Sequence, residues 1–315
     1  MYKLSDIANI LKKNDYFYIL THMYPDGDAL GSAFALCRAL QKIGKHAKVI
    51  CDNPLPEKFQ YLTEFIKKED FDFNYILAVD LADTALLESN SKKYIGKIDL
   101  CIDHHMSNKN YAKINFINSK AAANCEIIYN LLNKMEIILD PEISTALYTG
   151  IATDTGCFQY SNTTSDTHFI TSELIKHGAQ FEQINEKLFL TKTRKKIELE
   201  KIIYKNLEYR FNSKCAITHV TLKEMEEIGI GDNELDGIAS IPIKIEGVQI
   251  GITIREKSEN FFKVSVRTSS YINADEFCKN FNGGGHARAG GFSIFGNINN
   301  VKNEIANKIK SIMEW

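Results

Sequence analysis

The segment HMYPDGDALGS, residues 22–32, sets His22, Asp26 and Asp28 in one tight turn shaped by Pro25 and Gly27. It follows an apolar run, YFYILT, and opens a helical stretch. Further along, AVD ends in Asp80, IDHH delivers Asp103, His104 and His105, and GIATDTGCF carries Asp154. Any one of these reads alone as turn chemistry, with Asp28 as a helix cap or Asp103 as a turn former. Together they read differently. Strand ends in an open α/β sheet converge on one edge, where ligands bind. Carboxylates gathered there repel one another and resist ionising together, and cations remove that cost. Carboxylate with imidazole suits Mn²⁺, Mg²⁺, Fe²⁺ or Co²⁺. Two such ions about 3.5–4 Å apart serve in-line phosphoryl chemistry.

The scaffold that must position these residues is visible in the hydrophobic pattern. Leu4, Ile7, Ala8, Ile10 and Leu11 have helical spacing. Short apolar runs at 16–21, 47–51, 75–80 and 98–103 read as buried strands. Helices are expected over 28–44, closed by Gly44, and over 122–135, 141–153 and 164–178, with Asp154 beyond the end of one of them. This alternation predicts an α/β fold whose parallel sheet is covered by helices. The charged stretch 191–211 reads as an amphipathic helix. CAITHV, VQIGITIRE and FFKVSVRTS follow as strands, the last two paired as a hairpin, and the final fifteen or so residues read as a helix. The expected division is a parallel-sheet domain over 1–188, a helical connector over 189–211 and a smaller α/β domain over 212–315.

Composition excludes several classes. A chain of 315 residues with 44% hydrophobic and 25% charged residues is neither disordered, collagen-like nor coiled-coil. A formal charge of -2 supplies no global basic field for duplex DNA or an anionic membrane. The cysteine count, 7, is odd and lacks CxxC spacing, which points to buried reduced thiols. The N-terminus MYKLSDIANILKKND lacks the apolar core of a signal peptide, and no run approaches the ~18 apolar residues of a membrane span, so a cytoplasmic location is expected.

In the second domain, GGGH at 283–286 is either a tight turn or a place where the backbone approaches a ligand. In the second case Gly283, Gly284 and Gly285 would aim amides at an anion, with His286 adding a donor. Arg267, on a neighbouring expected strand, is either salt-bridged or a phosphate fork. Ser269, Ser270 and Arg288 are further candidates. His46, His168, His177 and His219 match no motif.

The order HxxPDxD, D, DHH, DTGxF resembles the DHH phosphoesterase family, and GGGHARAGG at 283–291 resembles the GGGHxxAxG signature of its DHHA1 domain. The resemblance covers nearly the whole chain and points to the stand-alone nano-RNase type. It implies one metal held by His22, Asp26 and Asp80, and a second held by Asp28, Asp80, His104 and Asp154, with Asp80 bridging. It implies that His105 faces the substrate and that Asp103 orients the histidines. Two divalent ions are expected, with Mn²⁺ first and Mg²⁺ or Co²⁺ as alternatives. The implied activity is hydrolysis of short oligoribonucleotides to mononucleotides and of 3′-phosphoadenosine 5′-phosphate (pAp) to AMP. The alternatives are a cyclic-dinucleotide or pApA phosphodiesterase and a RecJ-like exonuclease. No membrane partner is implied, and a homodimer is the expected assembly.

Overall fold

The computed structural model describes residues 2–87, 89–231, 235, 237–269 and 272–313; Ser270 lies outside them. The chain divides into two units, residues 1–191 and 192–315.

The first unit runs α1 (Leu4–Lys13), β1 (Phe17–Leu20), α2 (Gly27–Lys42), β2 (Ala47–Ile50), β3 (Tyr75–Val79), α3 (Ser89–Lys92), β4 (Leu100–Asp103), β5 (Ile114–Ile117), α4 (Asn124–Lys134), α5 (Pro141–Asp154), α6 (Ser165–Lys176) and α7 (Phe181–Asn185). Its strands form a parallel five-stranded sheet in the order β2-β1-β3-β4-β5. Side chains alternate between two cores, because successive strand residues point to opposite faces. Phe17, Ile19, Leu77, Val79, Leu100 and Ile102 meet apolar residues of α1, α2, α4 and α5. Tyr18, Leu20, Ile76, Ala78 and Cys101 meet Leu81, Leu87, Tyr94 and Ile98 on the other face, where irregular chain takes the place of long helices. The edge strand β5 was not among the expected strands. Its four residues, INFI, are only partly buried and flanked by polar residues, so no long apolar run marks it.

The second unit runs α8 (Arg194–Lys205), β6 (Glu208–Arg210), β7 (Cys215–Val220), α9 (Leu222–Ile228), β8 (Ile250–Ser258), β9 (Phe261–Thr268), α10 (Ala274–Lys279), β10 (Gly284–Gly285), β11 (Ala289–Phe295) and α11 (Ile298–Met313). The sheet order is β10-β11-β9-β8-β7-β6, with β7 and β8 parallel and the other pairs antiparallel. The expected helix over 191–211 is α8, and the end of that stretch becomes β6. Leu199 and Ile203 of α8 are buried with Val220, Met225 and Ile238, so this helix packs within the second unit.

All seven cysteines carry free thiols, and burial raises the pKa of those at 37, 51, 101, 125, 157, 215 and 278. No helix among the described residues is long and apolar enough to cross a membrane.

Candidate metal centre

In the first sheet β1 is followed in sequence by β2 on one side and neighboured by β3 on the other, so the order reverses between β1 and β3. Crevices at the carboxyl ends of strands form at such points. His22 follows β1, Asp80 follows β3, and His104 and His105 follow β4. Asp28 stands in the first turn of α2, and Asp154 is the last residue of α5 rather than a residue beyond it.

The chain brings these residues together. Potential ligand atoms of His22, Asp26 and Asp80 lie within 4.8 Å of one another, as do those of Asp28, His104 and Asp154 and those of Asp80, His104 and His105. His104 Nε2 is 3.7 Å from Asp28 Oδ2, 3.4 Å from Asp80 Oδ1 and 3.6 Å from Asp154 Oδ2. Asp80 is only 3% exposed, and its Oδ1 accepts no hydrogen bond. A buried carboxylate oxygen left in that state is costly, so the donor set suits a divalent cation. Asp80 also has φ 52, a left-handed backbone that non-glycine residues adopt only where the surroundings enforce it.

Crowding shifts the protonation of the cluster. Burial, followed by repulsion from Asp28 and Asp26, pushes Asp80 well above the ordinary carboxylate range. Burial likewise raises Asp28, and with Asp28 and Asp26 nearby it pushes Asp154 up to about 8. Burial lowers His22 and favours its neutral, ligating form.

The cap of α2 is Asp26, whose Oδ1 accepts the amides of Asp28 and Ala29 at 3.1 Å each, so the reading of Asp28 as a helix cap does not hold. Asp28 is buried and accepts the amides of Asn124 at 2.5 Å and Cys125 at 2.9 Å from the start of α4.

The adjacent histidines would point apart if the strand pleat continued. They lie past the last residue of β4, and their rings stand 4.6 Å apart, both near Asp80 Oδ1. Their hydrogen bonds separate them. His104 Nδ1 is 3.2 Å from the Ala121 carbonyl, so this nitrogen donates there and Nε2 is the one that faces the carboxylates. His105 Nδ1 is 2.7 Å from Asp103 Oδ1, and this bond, ahead of the opposing effect of burial, raises the pKa of His105. Asp103 is fully buried; its Oδ1 also accepts both histidine amides, and its Oδ2 accepts Asn108 Nδ2 at 2.6 Å. Asn108 was not singled out in the sequence, where an asparagine in a polar loop carries no signal of its own.

In the second unit, Arg267 on β9 pairs in register with Ala289 on β11, and Gly284 and Gly285 pair with Gly291 and Gly290. His286 is exposed. The amides of this turn bond within the second unit. Gly283 donates to the Cys278 carbonyl, Gly285 to Asp275 Oδ1 and His286 to the Ala289 carbonyl. The glycines serve close packing, since a Cβ on Gly285, at φ +155, would lie 2.3 Å from the Ala289 oxygen. Arg288 Nη1 donates to the carbonyls of Ser269 and Ile272. Of the remaining histidines, His46 stacks on Tyr16, His168 on Phe158, His177 bonds the Glu173 carbonyl, and His219 is partly buried; none joins the cluster.

A family model described as the DHH family, N-terminal domain, matches residues 16–151, and one for the DHHA1 domain matches residues 212–314. The bifunctional oligoribonuclease and PAP phosphatase NrnA of Thermus thermophilus is 26% identical over 300 residues, covering 93% of this chain and 89% of its own length. The probable bifunctional oligoribonuclease and PAP phosphatase NrnA of Streptococcus mutans is 29% identical over 95% of this chain and 97% of its own. The crystal structure of an exopolyphosphatase-related protein from Bacteroides fragilis shares the fold, with a TM-score of 0.87 and 23% identity over 99% of this chain and 97% of that one. With both domain models matched in order and the motif residues gathered at one sheet edge, the chain belongs to the DHH/DHHA1 phosphoesterases.

Proposed function

We propose that the protein is a two-metal phosphoesterase that hydrolyses short oligoribonucleotides to mononucleotides and pAp to AMP, in the cytoplasm. The observation that carries this reading is the buried, unbonded Asp80 Oδ1 within reach of two ligand groups. His22, Asp26 and Asp80 would hold one ion. Asp28, Asp80, His104 and Asp154 would hold the other, with Asp80 shared. Carboxylate and imidazole donors without thiolate favour Mn²⁺, with Mg²⁺ or Co²⁺ as substitutes. When bound, the ions supply Lewis-acid polarisation of the phosphoryl group and neutralise its charge. The names of the relatives, which couple oligoribonuclease with PAP phosphatase, support the substrate class.

The chain's own residues supply the rest. Asp103 holds His105 Nδ1–H, which leaves Nε2 to face the phosphate, and the raised pKa keeps a proton available there for the leaving oxygen. The Ala121 carbonyl fixes His104 in the tautomer that ligates. Arg267 and the exposed His286 side chain take a second phosphate or the chain end, and Gly283, Gly284 and Gly285 shape the turn that carries His286. The test is a competition assay under Mn²⁺ among pAp, pApA, cyclic di-AMP and RNA of two to ten nucleotides. The expected result is fastest turnover of the shortest RNAs together with pAp hydrolysis. Preference for cyclic di-AMP, or equal rates on a thirty-nucleotide RNA, would contradict the proposal.

A further inference from the structure

Glu126 belongs to none of the motifs, yet it is buried in the first turn of α4 with both carboxylate oxygens engaged. Its Oε2 accepts the Ala122 amide at 3.0 Å, and its Oε1 accepts the Thr167 hydroxyl at 2.5 Å. Thr167 is itself locked, because it forms a capping box with Thr164 at the start of α6.

The segment that Glu126 holds touches three of the candidate ligands. The Ala121 carbonyl accepts from His104 Nδ1. The Ala122 carbonyl accepts Asn162 Nδ2 at 3.0 Å, and the same nitrogen donates to the Asp154 carbonyl at 3.1 Å. The Asn124 and Cys125 amides clasp the two oxygens of Asp28. One turn of chain therefore sets the tautomer of His104, the direction of the Asp28 carboxylate and the end of α5. The Glu126 side chain ties this turn to Thr167 at the start of α6. Burying a carboxylate is unfavourable unless its oxygens are hydrogen-bonded, and both oxygens of Glu126 are, one to the segment and one to α6.

We propose that Glu126 is a positioning residue for the metal centre: with Thr167 it fixes residues 121–125 so that His104 Nε2 and the Asp28 carboxylate are aimed at the same ion. The inference rests on the metal-centre reading and goes beyond it by assigning a role to residues outside the ligand set. Partners that orient metal ligands are typically worth 10–100-fold in affinity.

The test is calorimetric Mn²⁺ titration of the full chain, wild type against Glu126→Ala, Glu126→Gln and Thr167→Val, with unfolding of each in EDTA and ¹⁵N NMR of the His104 ring. Glu126→Ala should bind Mn²⁺ about 10–100-fold more weakly and let His104 exchange between tautomers. Glu126→Gln keeps an acceptor for Ala122 and should stay within a few-fold of wild type. Should Glu126→Ala not fold, Thr167→Val removes one of the two bonds and should weaken Mn²⁺ severalfold. Wild-type affinity with a single His104 tautomer in a folded Glu126→Ala or Thr167→Val protein overturns the inference, whatever its melting temperature. Wild-type protein that binds no Mn²⁺ overturns the metal-centre reading and this inference with it.

Discussion

Gly150 lies inside α5, where replacing glycine with alanine ordinarily stabilises a helix by up to about 1 kcal/mol. Here the opposite is expected. A Cβ on Gly150 would stand 2.2 Å from Cys125 Sγ, 2.7 Å from Asp28 Oδ1 and 3.0 Å from the Asp28 Cα. Neither neighbour is a free side-chain end. Cys125 is fully buried, and Asp28 is held by the Asn124 and Cys125 amides. Overpacking of this kind costs roughly 1–3 kcal/mol, and two contacts below 3 Å against fixed atoms put Gly150→Ala near the upper end. After the helix gain, about 2 kcal/mol of destabilisation remains. Because the clash falls on Asp28 itself, Mn²⁺ affinity should fall by about tenfold or more. Urea unfolding in EDTA measures the first effect, and calorimetric Mn²⁺ titration of the folded variant measures the second. A variant that gains stability and binds Mn²⁺ like wild type would refute the packing argument and the placement of Asp28 against α5.

Three further outcomes are expected. His105→Ala should keep its metal content while its hydrolysis rate falls about 10²–10⁴-fold, whereas His104→Ala should lose metal; equal losses by elemental analysis would contradict the roles assigned here. Asp140 caps α5: burial raises its pKa, but the Ile143 amide, Lys42 and Arg38 outweigh that and hold it below the ordinary 3.8. Its folded form thus favours the ionised state, and its contribution, about 1 kcal/mol as a cap, is present above the ordinary value and lost as pH falls further. Asp140→Ala should therefore be destabilised near pH 7, with the gap to wild type closing below about pH 4 in urea melts; a gap that widens in acid would contradict the sign. Arg267→Ala and His286→Ala should slow turnover of dinucleotides and pAp while sparing Mn²⁺ binding and a small chromogenic phosphodiester; equal losses on all substrates would remove these residues from nucleotide binding.

Much of this centre is legible in the chain because its ligands sit at element ends. An aspartate closing a short apolar run announces both the strand and the edge it reaches, as Asp80 does after YILAV. The strands β1 and β4 are buried throughout, so their apolar runs stand out, whereas β5, half-buried at the edge, carries no such mark. What stays hidden depends on contacts between distant segments. Asp26 rather than Asp28 caps α2 because Asp28 is captured by the start of α4, nearly a hundred residues away. Glu126 looks like an acidic residue suited to a helix N-terminus, and only the fold puts Thr167 against it. The glycine-rich turn has contacts of the same hidden kind. Its spacing suits an anion, while in the fold its amides bond Cys278 and Asp275 of α10 and pair with β11.

The central claim, that carboxylates sharing Asp80 run a metal-dependent hydrolysis of very short RNA, is tested most directly on a labelled two-nucleotide RNA. Protein stripped with EDTA is assayed alone and after Mn²⁺ is restored, beside Asp80→Ala treated in the same way. The expected result is no mononucleotide from the stripped enzyme, full recovery with Mn²⁺ and no recovery for Asp80→Ala, whose loss should exceed that of any other ligand variant. Mononucleotide release by the stripped protein, or by Asp80→Ala with Mn²⁺ restored, would contradict it.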